Sequence, residues 1–134
     1  MPSIDLNTVA PAELQHLLST RSNIVACLCA AWCDVCQAWR PRFESLSLHH
    51  PEMLFVWIDI EDQDGLVGDL DIDNFPTMLL QQGDSVRFFG TIQPDTTQLT
   101  RLVQTRLIQP DPAAAHQEAW QIQANLRARI ARHV

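Results

Sequence analysis

Two cysteines separated by two residues are the most chemically informative feature of this chain. They form the run Cys33-Asp34-Val35-Cys36, which follows Trp32 and opens a helical pattern. Two thiols at this spacing can close a small disulfide. At a helix N-terminus, unpaired backbone N–H groups and the helix dipole favour the thiolate form of the first thiol. This combination is typical of thiol–disulfide exchange, in which one thiolate attacks a disulfide and a second thiol resolves the mixed disulfide.

The elements that must position these thiols follow from the hydrophobic pattern. Apolar residues at helical spacing predict helices over residues 11–20, 34–48, 64–70, 95–108 and 113–132. Strands are predicted over residues 23–29, 53–60, 77–81 and 85–89. The run over residues 23–29 is almost continuously apolar, as in a central strand covered on both faces. The order predicts an α/β fold, with one domain over residues 1–109 and a C-terminal helical extension over residues 110–134 packed on or beside it.

Composition limits the classes of function. The chain has 134 residues, of which 46% are hydrophobic, so it can bury a real core. Its net charge is −7, and this negative charge disfavours nonspecific nucleic-acid binding. Its basic residues are all arginines. No apolar run reaches transmembrane length and no signal peptide is visible, so we expect a cytoplasmic protein without a nucleic-acid or membrane partner. The acids from Asp59 to Asp73 are expected to form a solvated face.

Several residues around the two cysteines carry a resemblance to a known family. They are Ala31-Trp32-Cys33-x-x-Cys36, Pro41 five residues later, Phe75-Pro76-Thr77 at a strand start, and Gly90 at a hairpin end. With these residues the chain resembles the thioredoxin superfamily from about Ile4 to Ile108. The resemblance implies a three-layer sandwich with a mixed sheet of about four to five strands between helices. It also implies redox activity and a peptide-binding groove; no cofactor and no metal is expected.

The resemblance further implies roles for individual residues. Cys33 would be the exposed nucleophile and Cys36 the buried thiol that resolves the mixed disulfide by pairing with Cys33. Pro76 would be a cis proline facing that disulfide, with backbone groups nearby that pair with an extended substrate. Trp32, Phe75, Pro76 and Thr77 would together contact the substrate.

The chain departs from the family pattern at positions that tune the thiols. Asp34-Val35 replaces the Gly-Pro of typical thioredoxins; the Asp34 charge disfavours a thiolate at Cys33 but stabilises the first helical turn. We expect the reduction potential of the pair to be low, as in reducing thioredoxins, and not that of a strong oxidant. Cys27 stands where the family has a buried acid that helps to deprotonate the resolving thiol, and Trp57 stands near the place of its partner lysine. Asp59 and Glu61 are candidate replacement acids that the sequence does not rank.

Cys27 and Cys29 point to the same side of their strand, because alternate strand residues share a face. The interpretation favoured by the sequence is two buried, small apolar side chains. A second interpretation is a reserve thiol that can reach Cys36. A third joins all four cysteines in a zinc or iron–sulfur site.

The function that fits these features is a thiol–disulfide oxidoreductase acting on protein disulfides, with Cys33 and Cys36 as its catalytic pair and an unidentified reductant that recycles it. The alternative is a redox-sensitive chaperone or partner-binding adaptor of thioredoxin type with weak catalytic activity. The oligomeric state is left open.

Overall fold

A mixed sheet of five strands forms the middle layer of this computed structural model, which describes residues 3–109 and 123–133. The strands are β1 (Ile4–Asp5), β2 (Asn23–Cys29), β3 (Leu54–Asp59), β4 (Thr77–Gln82) and β5 (Ser85–Thr91). The helices are α1 (Pro11–Thr20), α2 (Asp34–Ser47), α3 (Asp64–Val67), α4 (Thr96–Val103) and α5 (Leu126–His133), and a π-helical turn (Gln104–Ile108) continues α4. The strand order is β1-β3-β2-β4-β5. Strands β1 and β2 run parallel to β3, and β4 is antiparallel to β2 and β5.

The predicted α/β sandwich is confirmed, and its elements differ from the predicted ones mainly at their ends. Both α1 and β2 have the predicted bounds. Strand β5 continues through Gly90 to Thr91, where the sequence placed its end at Phe89. The predicted cap of α4 is confirmed, because the Asp95 carboxylate accepts a hydrogen bond from the Thr97 N–H at 2.9 Å. Strand β1 was not predicted, since two residues are too short for a detectable alternation.

The predicted last helix lies only partly in the described chain. Residues 113–122 of that prediction fall outside the described residues, together with Trp120 and Ile122. The described part is helical from Leu126. Within the described ranges, no helix is both long enough and apolar enough to cross a lipid bilayer.

Strand β2 lies at the centre of the sheet and divides the core into two layers. Its even-numbered residues, Ile24, Ala26 and Leu28, pack in the layer that includes residues of α1, α3 and α5. Its odd-numbered residues, Val25, Cys27 and Cys29, pack in the layer that includes residues of α2 and α4. Both sets are fully buried, as the continuous apolar run predicts. The strand therefore delivers two cysteines to the same layer as α2.

The helix α5 is tied to the sheet through a buried glutamine. Leu126 and Ile130 are buried in the core layer opposite the cysteines. The side-chain oxygen Oε1 of Gln81 accepts the Leu126 N–H at 2.8 Å, and the Gln81 side-chain amide donates to Asn125 Oδ1 at 2.8 Å. Asn125 in turn accepts the Ala128 N–H at 3.1 Å, so two N–H groups of the first turn are satisfied.

Two arginines hold α5 to the other helices of that layer. The Arg127 guanidinium donates to the Leu18 carbonyl at 2.6 Å and to the Arg21 carbonyl, both at the end of α1. Arg129 is buried and donates to the Leu66 carbonyl at 2.9 Å and to the Asp69 carboxylate at 2.6 Å. The several donors of one guanidinium allow a single side chain to bridge these groups.

We predict that Gln81→Met destabilises the chain by about 1–3 kcal/mol, because it leaves the buried Leu126 N–H without an acceptor. Chemical denaturation followed by circular dichroism measures the change. Gln82→Met is the matched control at the next residue, whose side chain is only half-buried, and it is expected to cost about 0.5 kcal/mol or less. Equal losses in the two variants would contradict this account of α5.

Candidate functional site

The turn between β2 and α2 presents Cys33 at the N-cap of α2. Two hydrogen bonds fix this turn at Ala31. The Ala31 N–H donates to the Asp59 carboxylate at 3.0 Å, and the Gln37 side-chain amide donates to the Ala31 carbonyl at 2.7 Å. The Cys33 N–H donates to the Ala30 carbonyl at 3.1 Å. The turn before Cys33 is thus held by side chains of β3 and α2, and Cys33 itself is bonded to the residue that follows β2.

The surface around Cys33 is apolar and aromatic. Cys33 is half-buried and carries a free thiol. Trp32 is 66% exposed, and its ring meets that of Phe75 edge to face at 5.8 Å between centroids. The Trp32 indole N–H donates to the Glu61 carboxylate, which fixes the ring. Val35 is exposed beside Asp34, which lies in the first turn of α2.

Cys36 is buried and forms a disulfide with Cys29, not with Cys33. The predicted pairing of Cys33 with Cys36 is therefore not the one present in this structure, in which Cys33 is free. The two Cα atoms are 5.8 Å apart, a normal separation for a disulfide. Cys29 ends β2 on the face that packs against α2, and Cys36 lies in the first turn of α2 on its inner side. The favoured interpretation of Cys29 as a mere apolar side chain therefore does not describe this structure, in which the Cys29 sulfur reaches Cys36 as the second interpretation requires.

Cys27 completes this buried cluster. Its sulfur lies 3.7 Å from that of Cys29. Because Cys29 is in a disulfide and has no S–H, Cys27 is the donor in this contact. Burial raises the pKa of the Cys27 thiol, and the nearby Trp39 and the Arg40 charge oppose this shift without cancelling it. Cys27 is thus a protonated neighbour of the disulfide. Within the described ranges, no three Cys, His, Asp or Glu side chains are grouped to hold a metal ion.

A cavity of about 260 Å³ lies beside Cys36. Arg40, Trp57 and Asp59 line it together with Cys36. The Arg40 guanidinium lies over the Trp57 ring at 5.0 Å from its centroid. A positive charge therefore sits next to the position where the family has its lysine, but it comes from α2 and not from β3.

Asp59 lines this cavity together with two other acids, Asp5 and Asp62, and it is not part of a solvated face as the sequence predicted. It is buried and accepts the backbone N–H groups of Ala31, Glu61 and Asp62 at 2.9–3.2 Å. Glu61 is exposed and bonds Trp32. The structure therefore ranks the two candidate acids, because only Asp59 shares a cavity with Cys36. In the sequence, the signal for this role was an acid at the end of an apolar strand. The sequence does not predict that the Ala31 N–H lies next to Asp59, because this contact depends on the path of the turn after β2.

The segment Phe75-Pro76-Thr77 lies beside the turn that carries Cys33. The predicted cis peptide at Phe75–Pro76 is confirmed. Pro76 and Thr77 are buried, and the Thr77 hydroxyl donates to the Asn74 carbonyl at 2.6 Å. Phe75 is half-buried. Of the three side chains, that of Phe75 is the most accessible to a substrate.

We predict that Asp59→Ala destabilises the chain by about 2 kcal/mol, because three N–H groups lose a charged acceptor. Asp59→Asn should cost less, since its amide oxygen can still accept. Denaturant unfolding measures both. Asp62→Ala is the control at an exposed acid, and a loss there as large as in Asp59→Ala would refute the anchoring role.

Comparison with known sequences identifies the family of this chain. The family model described as thioredoxin matches residues 5–105. Thioredoxin of Mycoplasmoides gallisepticum is 31% identical over 71 residues, which cover 53% of this chain and 71% of that protein. Thioredoxin domain-containing protein 2 of mouse is 46% identical over 48 residues, or 36% of this chain. The match spans only 9% of the length of that mouse protein.

Solved structures show the same fold. Thioredoxin NaTrxh of Nicotiana alata superposes with a TM-score of 0.64 at 20% identity, covering 79% of this chain and 95% of that one. Fasciola hepatica thioredoxin superposes with a TM-score of 0.61 at 21% identity, covering 71% of this chain and 92% of that one. From the family model, the sheet order and the cysteine site at the start of α2, the chain belongs to the thioredoxin family.

Proposed function

We propose that this chain is a thiol–disulfide oxidoreductase that acts on protein disulfides. One observation carries the proposal: a half-exposed, free Cys33 thiol stands at the N-terminus of α2, one turn before buried Cys36. Cys33 is accessible at the helix cap, and the thiolate is the attacking species in exchange. The buried position of Cys36 suits a thiol that reacts with a partner already bonded to Cys33.

The proposed cycle starts from the reduced chain. The Cys33 thiolate attacks one sulfur of a substrate disulfide, and the other substrate sulfur leaves as a thiolate. The Cys36 thiolate then attacks the Cys33 sulfur, and the reduced substrate departs. The chain is left with one disulfide, which an external dithiol reductant opens by the same exchange. A cytoplasmic setting is part of the proposal, because a reducing compartment regenerates the dithiol.

Trp32, Val35 and Phe75 form the proposed contact surface for the substrate. Trp32 and Val35 are exposed apolar side chains on either side of Cys33 in the sequence, and Phe75 packs against Trp32. An exposed aromatic side chain with a fixed orientation loses little conformational entropy when it binds. This surface therefore favours an extended peptide segment with apolar residues beside its disulfide.

The second candidate function is a redox-sensitive adaptor. It is favoured by the Cys29–Cys36 disulfide, because a chain in this state has Cys33 as its free surface thiol and no thiol at Cys36. Such a thiol can form a mixed disulfide with a partner that Cys36 is not able to release.

The assay that separates the two functions is dithiothreitol-driven reduction of insulin. We expect the chain to accelerate it, and both Cys33→Ser and Cys36→Ser to return the rate to that of dithiothreitol alone. In a separate reaction without dithiothreitol, reduced Cys36→Ser mixed with insulin should accumulate a mixed disulfide that nonreducing electrophoresis detects, while Cys33→Ser should not. An inactive chain that still captures partners through Cys33 would favour the adaptor.

We predict that Trp32→Ala lowers kcat/KM for insulin about fivefold to tenfold, since an exposed aromatic contact contributes about 1 kcal/mol or more to binding. Leu48→Ala is the matched control, because Leu48 is 64% exposed against 66% for Trp32 but follows the opposite end of α2. Equal rates for the two variants would remove Trp32 from the contact surface.

A further inference from the structure

We propose that Cys29 is a third thiol of the exchange centre. It attacks the Cys36 sulfur of the Cys33–Cys36 disulfide, so that a buried Cys29–Cys36 disulfide forms and Cys33 becomes a free thiol again. This inference rests on the proposed function, because it begins with the disulfide that the proposed cycle produces. The proposed three-cysteine cycle differs from a two-cysteine cycle in the disulfide that the oxidised chain contains, which is Cys29–Cys36 and not Cys33–Cys36.

The geometry that supports this step is the position of Cys36 between two possible partners. Cys36 lies in the first turn of α2, three residues after Cys33 and facing the end of β2. Cys29 is bonded to it across that interface, and both residues are at most 1% exposed. Cys33 is half-buried at the helix cap and free. The same Cys36 sulfur can therefore pair outward with Cys33 or inward with Cys29.

The step is an isomerisation in which atoms and electrons balance. The Cys29 thiolate attacks the Cys36 sulfur, a Cys29–Cys36 bond forms, and the Cys33–Cys36 bond breaks. Cys33 leaves as a thiolate and takes up a proton equivalent to the one that Cys29 lost. No external oxidant or reductant is consumed. The departing Cys33 sulfur lies at the half-exposed N-cap of α2, where it can take up that proton from solvent.

Solvation favours the inward disulfide. A disulfide carries no charge and no S–H, so burying it costs no desolvation of an ionised group. The exchange moves the ionisable thiol from the core to the half-exposed Cys33 position, where a thiolate is solvated. In the reverse step, the Cys27 S–H, 3.7 Å from Cys29, is placed to donate a hydrogen bond to the departing Cys29 thiolate. Cys27 and Cys29 are thus the buried part of the exchange centre, with Cys29 as the reacting thiol and Cys27 as its hydrogen-bond donor.

The test maps free thiols in the oxidised chain. The full chain is reduced, oxidised with an excess of a cyclic dithiane disulfide that leaves no adduct, and labelled with N-ethylmaleimide without denaturation. It is then denatured, reduced and labelled with iodoacetamide. All four cysteines lie between Arg21 and Arg40 and share one tryptic peptide, so fragment masses must assign the two labels. We expect N-ethylmaleimide on Cys33 and iodoacetamide on Cys29, Cys36 and the buried Cys27. N-ethylmaleimide absent from Cys33, with iodoacetamide on both Cys33 and Cys36, would overturn the proposal.

Two alanine variants on the same strand face sharpen the result. In Cys29→Ala, Cys36 can pair only outward, so native labelling of Cys33 should fall from about one label per chain to almost none. Cys27→Ala removes an equally buried neighbouring thiol, and its oxidised form should keep the Cys33 label. Cys33 labelling that survives in Cys29→Ala would count against the role of Cys29. The wild-type map decides the question without relying on the folding of either variant.

Failure of this inference and failure of the proposed function give different results. The labelling experiment uses a small-molecule oxidant and does not depend on reduction of a protein substrate. Insulin reduction with an oxidised chain whose Cys33 is unlabelled would leave the oxidoreductase standing and remove the role of Cys29. A labelled Cys33 without insulin reduction would support the inward disulfide and remove the oxidoreductase.

Discussion

The alternation of side chains along β2, with both faces of the strand buried, is the constraint on which the rest of the structure depends. Strand β2 pairs with β3 on one side and β4 on the other, so its position and register are fixed by two ladders. Its odd-numbered side chains must then face α2. A cysteine at position 27 or 29 has no route to the opposite layer. The buried thiols therefore lie beside α2 because of strand geometry, and Cys36 meets Cys29 where the strand ends and the helix begins.

Much of the fold could be predicted because its signals are local. The bounds of α1 and β2 and the Asp95 cap follow from residues within a few positions of one another. The Cys29–Cys36 pairing could not be predicted in the same way. It depends on the distance between a strand end and the first turn of the following helix, which the path of the intervening turn decides. Asp59 was misplaced for the same reason, since the Ala31 N–H that it accepts comes from that turn.

The replacement of the family's buried acid and lysine changes the chemistry around Cys36 without leaving the site uncharged. Cys27 is neutral, but Asp59 and Arg40 both line the cavity beside Cys36. Arg40 also bonds Asp5 at 2.8 Å and Glu44 at 3.1 Å, so its guanidinium links α2 to β1. One arginine that bridges several acceptors occurs more than once in this chain, whose basic residues are all arginines. Arg129 likewise joins a carboxylate and two backbone carbonyls with one side chain.

The burial of the Cys29–Cys36 disulfide has a consequence for recognition. Both sulfurs belong to residues that are at most 1% exposed, so this bond contributes almost nothing to the outer contour of the protein. A partner that recognises only the shape of the protein surface therefore makes no direct contact with this disulfide. Cys33 is a free thiol in the reduced chain and also with the Cys29–Cys36 disulfide in place, so the two forms differ at the surface in whether Cys36 is able to release a partner bonded to the Cys33 sulfur. Partners that distinguish these forms must do so by reacting with that one atom, and discrimination between them is then a matter of rates and not of fit.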